Sequence, residues 1–200
     1  MTDQPPITPR PAASVVVLRE GEAPEVLMGM RGAKHRFMPN RLVFPGGAVD
    51  PADYDAPHAT PMRTDVLRRL EKSATPALAR AFGIAAAREL LEETGLSLGD
   101  PPRLDVLDYL CRAVTPAPSP VRFDAHFLVV SAEHVQGVLA GSGELEGLRW
   151  IGIDAALALD IAIPTRGVLN RLEAWMAMSE AERRAQTVVH GHYNRDWVIE

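Results

Sequence analysis

The stretch from Thr75 to Gly95 constrains this chain more than any other, because it carries its own start and stop signals. A threonine that can cap, a proline suited to the first helical position and a glycine suited to a left-handed residue bracket an apolar pattern through Ala85, Leu90 and Leu91. The pattern predicts a helix running from Pro76 to Gly95. At about 100° per residue, Glu89, Glu92 and Glu93 share one arc of roughly 100°, and Ile84, Ala87 and Leu91 fall opposite. Like charges three and four residues apart repel, by more when they are partly buried, and a cation removes that penalty. An all-oxygen set of this kind suits a hard divalent ion that bridges carboxylates to phosphates. Arg88 can steady a carboxylate without being a ligand itself. A merely solvated helix face is the competing reading.

Around this helix the chain reads as alternating strands and helices. Ala13 to Arg19 and Glu25 to Arg31, separated by Glu20, Gly21 and Pro24, predict a hairpin. Pro39 and Asn40 break the chain before Leu42, Val43 and Phe44, and Pro45-Gly46-Gly47 forces a tight turn after them. Thr64 to Lys72 predicts a short helix with Val66, Leu67 and Leu70 inward. Two further strands are expected over Leu104 to Val114 and Val121 to Val130, then a strand over Glu146 to Ile151 and a helix over Gly167 to Met178. Thr187 to Val189 and Trp197 to Ile199 read as terminal edge strands. Trp150, Trp175 and Trp197 are expected to pack in the core or at an edge.

With 200 residues, 46% hydrophobic and 24% charged, the chain can bury one globular core. Residues 1–12, with Pro5, Pro6, Pro9 and Pro11, read as a disordered tail, and residues 13–200 as a single domain. No apolar run approaches a bilayer span and the start lacks a signal-peptide centre, so a cytoplasmic location without membrane contact is expected. The lone Cys111 excludes an internal disulfide. A net charge of −5 argues against general nucleic-acid binding. Within that acidic chain, however, Arg31, Lys34, Arg36 and Arg41 form a basic stretch, which suits an anionic ligand held beside a cation. The histidines, including His126 and the pair His190 and His192, lack a third partner in a metal spacing and read as surface or capping residues.

The run Arg88-Glu89-Leu90-Leu91-Glu92-Glu93-Thr94-Gly95-Leu96 resembles, position for position, the second half of the Nudix box, G-x5-E-x7-R-E-U-x-E-E-x-G-U, with U a bulky aliphatic residue. Phe44-Pro45-Gly46-Gly47 resembles the turn that opens the box, with Gly47 as its first glycine. Asp53 stands where that family has its first glutamate, and residues 54–87 separate Asp53 from Arg88 where the box has only seven positions. An insertion at about 54–80 is therefore expected, and a surface insertion costs little in closure entropy. The interruption resembles the coenzyme A diphosphatase branch, whose upstream motif L-L-T-x-R-[SA]-x3-R-x3-G-x3-F-P-G-G is similar to Leu27-Met28-Gly29-Met30-Arg31, Arg36 and Phe44 to Gly47. Gly29, Gly32 and Asn40 depart from it. Thr115-Pro116, Arg122 to Phe127 and Pro164-Thr165 also look like that branch.

The resemblance implies a Nudix-type α/β/α sandwich with a mixed β-sheet. It further implies a metal-dependent diphosphatase that splits coenzyme A or its acyl form into 3′,5′-ADP and (acyl-)4′-phosphopantetheine. Mg²⁺, or Mn²⁺ in its place, is expected on Glu89, Glu92, Glu93 and Gly47, with Arg88 completing the catalytic set. Arg31, Arg36, Gly46 and Gly47 are the expected substrate-binding residues, since guanidinium groups fork onto phosphate oxygens. A helix glutamate or a loop acid, Asp50 or Asp53, takes the proton of the attacking water. The partner expected is a small nucleoside diphosphate compound, and a homodimer is compatible with the chain. ADP-ribose or NADH as substrate, or a binding module without turnover, are the alternatives.

Overall fold

The computed structural model describes residues 7–32, 41–117, 119–185, 191–193 and 197–199. The expected hairpin is present as β1 (Arg10–Arg19) and β2 (Glu25–Arg31), antiparallel, with Leu18 opposite Val26. Two short strands follow, β3 (Leu42–Val43) and β4 (Gly46–Ala48), then a 3-10 turn at Pro51–Tyr54. Helices α1 (Thr64–Leu70) and α2 (Pro76–Thr94) come next. The strands β5 (Leu96–Ser97), β6 (Asp108–Val114), β7 (Phe123–Ser131), β8 (Gln136–Gly137) and β9 (Leu145–Gly152) precede helices α3 (Ile153–Leu157), α4 (Ile163–Met176) and α5 (Glu180–Ala185). The chain returns to the sheet through β10 (Gly191–Tyr193) and β11 (Trp197–Ile199).

The sheet is mixed. Among the described residues its order is β10-β11-β6-β7-β1-β2-β3, with β4 beside β1 and β9 beside β2, and only β1 and β7 run parallel. Alternation along the central strands builds two cores. Val15, Val17, Leu128 and Val130 face one way and pack with Phe82, Ala86 and Leu90 of α2. Val16, Leu18 and Val129 face the other way and pack with Ala156 of α3 and Val168, Leu169 and Leu172 of α4. The result is the expected three-layer arrangement of helices on both faces of a mixed sheet.

The predicted signals of α2 operate as read. Thr75 Oγ1 accepts from the Leu78 backbone N–H at 3.2 Å, and Gly95 has φ 73° while its N–H donates to the Leu91 carbonyl. Which side of α2 faces inward differs from the periodicity, however. Glu89 and Glu93 are buried and Leu91 is 52% exposed. From Ala81 to Ala87 the helix is buried on every side, because Met62 and Leu104 cover Gly83 on the side away from the sheet. A helix covered on both sides has no polar stripe to set its orientation.

Several boundaries move. β1 starts at Arg10, so Arg10–Ala12, assigned to the tail, pair with Phe123–Ala125 of β7. β6 starts at Asp108 because Leu104 and Leu107 turn inward to join the α2 core. α4 starts at Ile163, with Pro164 in its first turn, a signal that favours an early start over one at Gly167. Trp197–Ile199 is an interior strand between β10 and β6, since β10 takes the edge, and Thr187 to Val189 lie outside the described residues. His126 is no surface residue. It is fully buried, its ring 4.1 Å from that of Phe82, and neither ring nitrogen has a hydrogen-bond partner. Burial lowers its pKa to about 4, so it stays neutral.

Candidate active site

The site grows from the way β1 is paired. Its last residues pair with β2, but Ala12, Ala13 and Ser14 pair instead with Ala48, Gly47 and Gly46 of β4. Gly46 has φ +155° and lies so close to β1 that a Cβ there would stand 2.5 Å from the Ala13 carbonyl oxygen and 2.6 Å from the Ser14 Cα. Only glycine fits. At Gly47 the obstacle is different, because a Cβ would stand 2.3 Å from Glu89 Oε1. The bare backbone of the glycine turn thus lets α2 bring its carboxylates against β4, and the Gly46 N–H donates to Glu93 Oε2 at 2.8 Å.

Arg88 ties the two separated sequence segments together. Its Nε and Nη2 donate to Asp53 Oδ1 and Oδ2 at 2.9 and 3.0 Å, a bidentate fork. Its Nη1 donates to Glu89 Oε1 at 2.7 Å and to Glu92 Oε2 at 3.0 Å, and its Nη2 also reaches the Ala48 carbonyl. Asp53 Oδ2 further accepts from the Asp50 N–H at 2.7 Å, closing a capping box in the 3-10 turn. Both oxygens of Asp53 are therefore engaged and the residue is buried, where it positions Arg88.

Burial raises the pKa of both inward carboxylates. Glu93 is pushed up to about 7 by desolvation, an effect that the Gly46 N–H opposes and neighbouring Glu89 reinforces. Glu89 is also raised by burial, while the Arg88 hydrogen bond and charge pull it down. The same partners stabilise the Arg88 cation, with the Asp53 hydrogen bond foremost.

Residues 81–172, from the middle of α2 through most of α4, match the sequence profile of the NUDIX domain. Over that stretch, just under half of its length, the chain is similar to the Nudix family. It is 37% identical over 87 residues to the Caenorhabditis elegans protein named "Putative nudix hydrolase 7"; the matched stretch is 44% of this chain and 22% of that protein. The crystal structure of a NUDIX hydrolase from Alicyclobacillus acidocaldarius is similar at a TM-score of 0.68 and 26% identity, covering 91% of this chain and 98% of the other. A MutT NUDIX hydrolase from Burkholderia pseudomallei shares the fold at a TM-score of 0.56 and 20% identity, over 83% of this chain and 99% of that one.

The profile match contains Arg88, Glu89, Glu92 and Glu93 but not Gly46, Gly47 or Asp53, which the fold brings beside them. Of these, Gly46, Gly47, Glu89 and Glu93 border a cleft of about 300 Å³ at the end of the sheet. Its floor is made of small residues, Ala12, Ser14, Ala113 and Ala125, and its apolar walls include Val43, Phe44, Phe127 and Pro164. Arg31 lines it, with Nη2 3.5 Å from the Gly46 carbonyl oxygen. Arg36 lies outside the described residues. Arg10, Glu144 and Thr165 also line the cleft and were missed from sequence. Arg10 was assigned to the tail, and Glu144 ends a glycine-rich loop with no periodic pattern to mark it.

The expected three-glutamate set is divided. Glu89 and Glu93 line the cleft, whereas Glu92, its side chain 56% exposed, is held at Arg88. No group of three histidine, cysteine, aspartate or glutamate side chains already converges on a metal position among the described residues. The carboxylate donors at the cleft are nonetheless oxygens, and two adjacent buried carboxylates whose pKa burial raises are a pair whose desolvation a hard divalent ion offsets. The residues present fit such an ion. Among the described residues no helix is long and apolar enough to cross a membrane.

Proposed function

We propose that this chain is a metal-dependent diphosphatase, with coenzyme A or acyl-coenzyme A as its favoured substrate. The observation that carries the reading is the contact of Glu89 and Glu93 with a glycine turn at the mouth of a cleft that also holds Arg31. Glu89 and Glu93 would hold Mg²⁺ or Mn²⁺, with Glu92 at the outer side and the Gly47 backbone beside them. When bound, such an ion neutralises charge on diphosphate oxygens and makes a bound water more acidic. Arg88 fixes the carboxylates in place, and Gly46 and Gly47 let β4 lie against β1 and Glu89 while bordering the cleft where the phosphates would sit. Arg31 offers a guanidinium fork to the same oxygens. Water attacks one phosphorus, the bridging P–O bond breaks, and a carboxylate facing the cleft takes the proton.

Two features support coenzyme A. The upstream Leu27 to Arg31 and Phe44 to Gly47 segments resemble the motif of that branch, and Val43, Phe44, Phe127 and Pro164 offer an apolar wall to a long neutral arm. The test is incubation with Mg²⁺ and coenzyme A, acyl-coenzyme A, ADP-ribose and NADH, with products identified by mass. Release of 3′,5′-ADP and 4′-phosphopantetheine or its acyl form is expected, together with loss of turnover in Glu93→Gln. AMP from ADP-ribose or NADH alone refutes the substrate, and unchanged turnover in Glu93→Gln refutes the metal assignment.

A further inference from the structure

The cleft extends beyond the residues that face the diphosphate. Arg10, Ala12 and Ser14 alternate onto one face of β1, and Ser14 is in register with Gly46. At about 3.3 Å per residue, the Arg10 Cα stands ~13 Å along the strand from that register. Ala12 between them and Ser14 at the register are both small, so the floor is open from the glycine turn to Arg10. Arg112 and Arg122 nearby are committed, to Asp124 and to the Thr115 and Ile7 carbonyls. The Arg10 guanidinium has no hydrogen bond or ion pair among the described residues.

Another wall of the same cleft is the start of α4. Its cap residue, Ala162, offers no side-chain acceptor to the first-turn N–H groups. Thr165 in that turn is only 5% exposed and lines the cleft, yet its hydroxyl has no hydrogen-bond partner among the described residues. A threonine hydroxyl open to the cleft, a helix start without a side-chain cap and a guanidinium without a partner among the described residues are complementary to an anion. A nucleoside diphosphate that also carries a phosphate on its ribose presents such a second anion, one sugar away from the diphosphate.

We propose that Arg10, together with Thr165 and the first turn of α4, forms a second phosphate subsite that binds a ribose phosphate of the substrate and makes this cleft selective for coenzyme A over compounds that lack it. This inference rests on the diphosphatase reading above. Arg10 is a specificity residue here and takes no part in the chemistry.

The experiment measures kcat/KM for coenzyme A and for 3′-dephospho-coenzyme A, side by side, in the wild-type chain, Arg10→Ala, Arg10→Lys and Thr165→Val. A ratio of two substrates on one preparation is independent of the folded fraction. The wild type is expected to prefer coenzyme A by at least ~10-fold, the size of one charge-assisted hydrogen bond to phosphate. Arg10→Ala brings the ratio toward one through KM, Arg10→Lys retains part of it, and Thr165→Val lowers it by ~3-fold or more. If the wild type cleaves coenzyme A without preference, or the preference survives in Arg10→Ala, the subsite is refuted and the diphosphatase reading stands. If neither compound is cleaved, that reading falls and the subsite falls with it.

Discussion

Gly47→Ala isolates the contact between the glycine turn and α2, the helix proposed to carry the catalytic carboxylates. The new Cβ would stand 2.3 Å from Glu89 Oε1, 2.6 Å from Cδ and 2.9 Å from Oε2, where ordinary contact begins near 3.4 Å. The carboxylate must therefore retreat by about 1 Å, away from a position that Arg88 Nη1 holds at 2.7 Å. A misplacement of ~1 Å in a catalytic group costs on the order of 10²-fold, so kcat/KM on the diphosphate identified by the product assay should fall ~100-fold. Stability should hardly change, because the obstacle is the end of a side chain and Gly47 does not occupy the left-handed region. Gly46→Ala is the contrast. Its Cβ meets the β1 backbone at φ +155°, so the ladder itself must move and the thermal midpoint should drop. Shortening the displaced side chain supplies the internal check. Glu89→Asp removes one methylene, about 1.5 Å, and in the double variant with Gly47→Ala the losses should be less than additive. Turnover within ~3-fold of wild type in Gly47→Ala, or strict additivity with Glu89→Asp, would refute the claim that this glycine exists to seat Glu89.

Three further outcomes follow from the packing. Asp53→Asn breaks the fork that holds Arg88, and should lower stability by about 2 kcal/mol, a thermal midpoint shift of ~4–8 °C, measurable by calorimetry. His126 has a folded pKa near 4, below its ordinary 6.5, so the unfolded chain binds the extra proton in the window between those values. Its contribution is present above pH 6.5 and lost as pH falls toward 4, by ~3 kcal/mol, and chemical denaturation of His126→Phe between those pH values should show a flatter acid limb. Leu90→Ala should cost ~3 kcal/mol, while Leu91→Ala stays within ~0.5 kcal/mol; equal costs in a urea melt would contradict the observed orientation of α2.

The legible parts of this fold are those where a local rule has no competitor. The caps of α2, the hairpin of β1 and β2, and the glycine turn each follow from two or three adjacent residues. The motif spacing around Arg88 also placed α2, although it did not show that Asp53 is the partner of the Arg88 fork. The orientation of α2 was misread because alanines and glycine between Ala81 and Ala87 carry little periodic signal, and tertiary cover on both sides decides what is inside. His126 was misread for a related reason, since a polar residue in a strand reads as surface until Phe82 is known to lie on it. Arg10 and Thr165 could not be paired from sequence at all. One starts β1 and the other begins α4, and only the order of the sheet brings them to one cleft.

The helix that carries Glu89 and Glu93 and most of the cleft belong to opposite sides of the sheet, and the pairing of β1 reconciles them. α2 packs on the face that carries Val15 and Val17, whereas the cleft floor is built on the face that carries Ala12 and Ser14. A continuous sheet would separate the two. β1 changes partner along its length, from β4 at residues 12–14 to β2 at residues 18–19, and β2 turns away to pair with β3 and β9. At the departing edge the chain carries two glycines, so no side chain closes the passage between faces. Glu89 and Glu93 reach the cleft there, which couples two sequence requirements that look independent. The helix needs its carboxylates one turn apart to meet the edge, and β4 needs Gly46 and Gly47 to leave that edge open. Only both together place charged oxygen donors at the head of an apolar cleft.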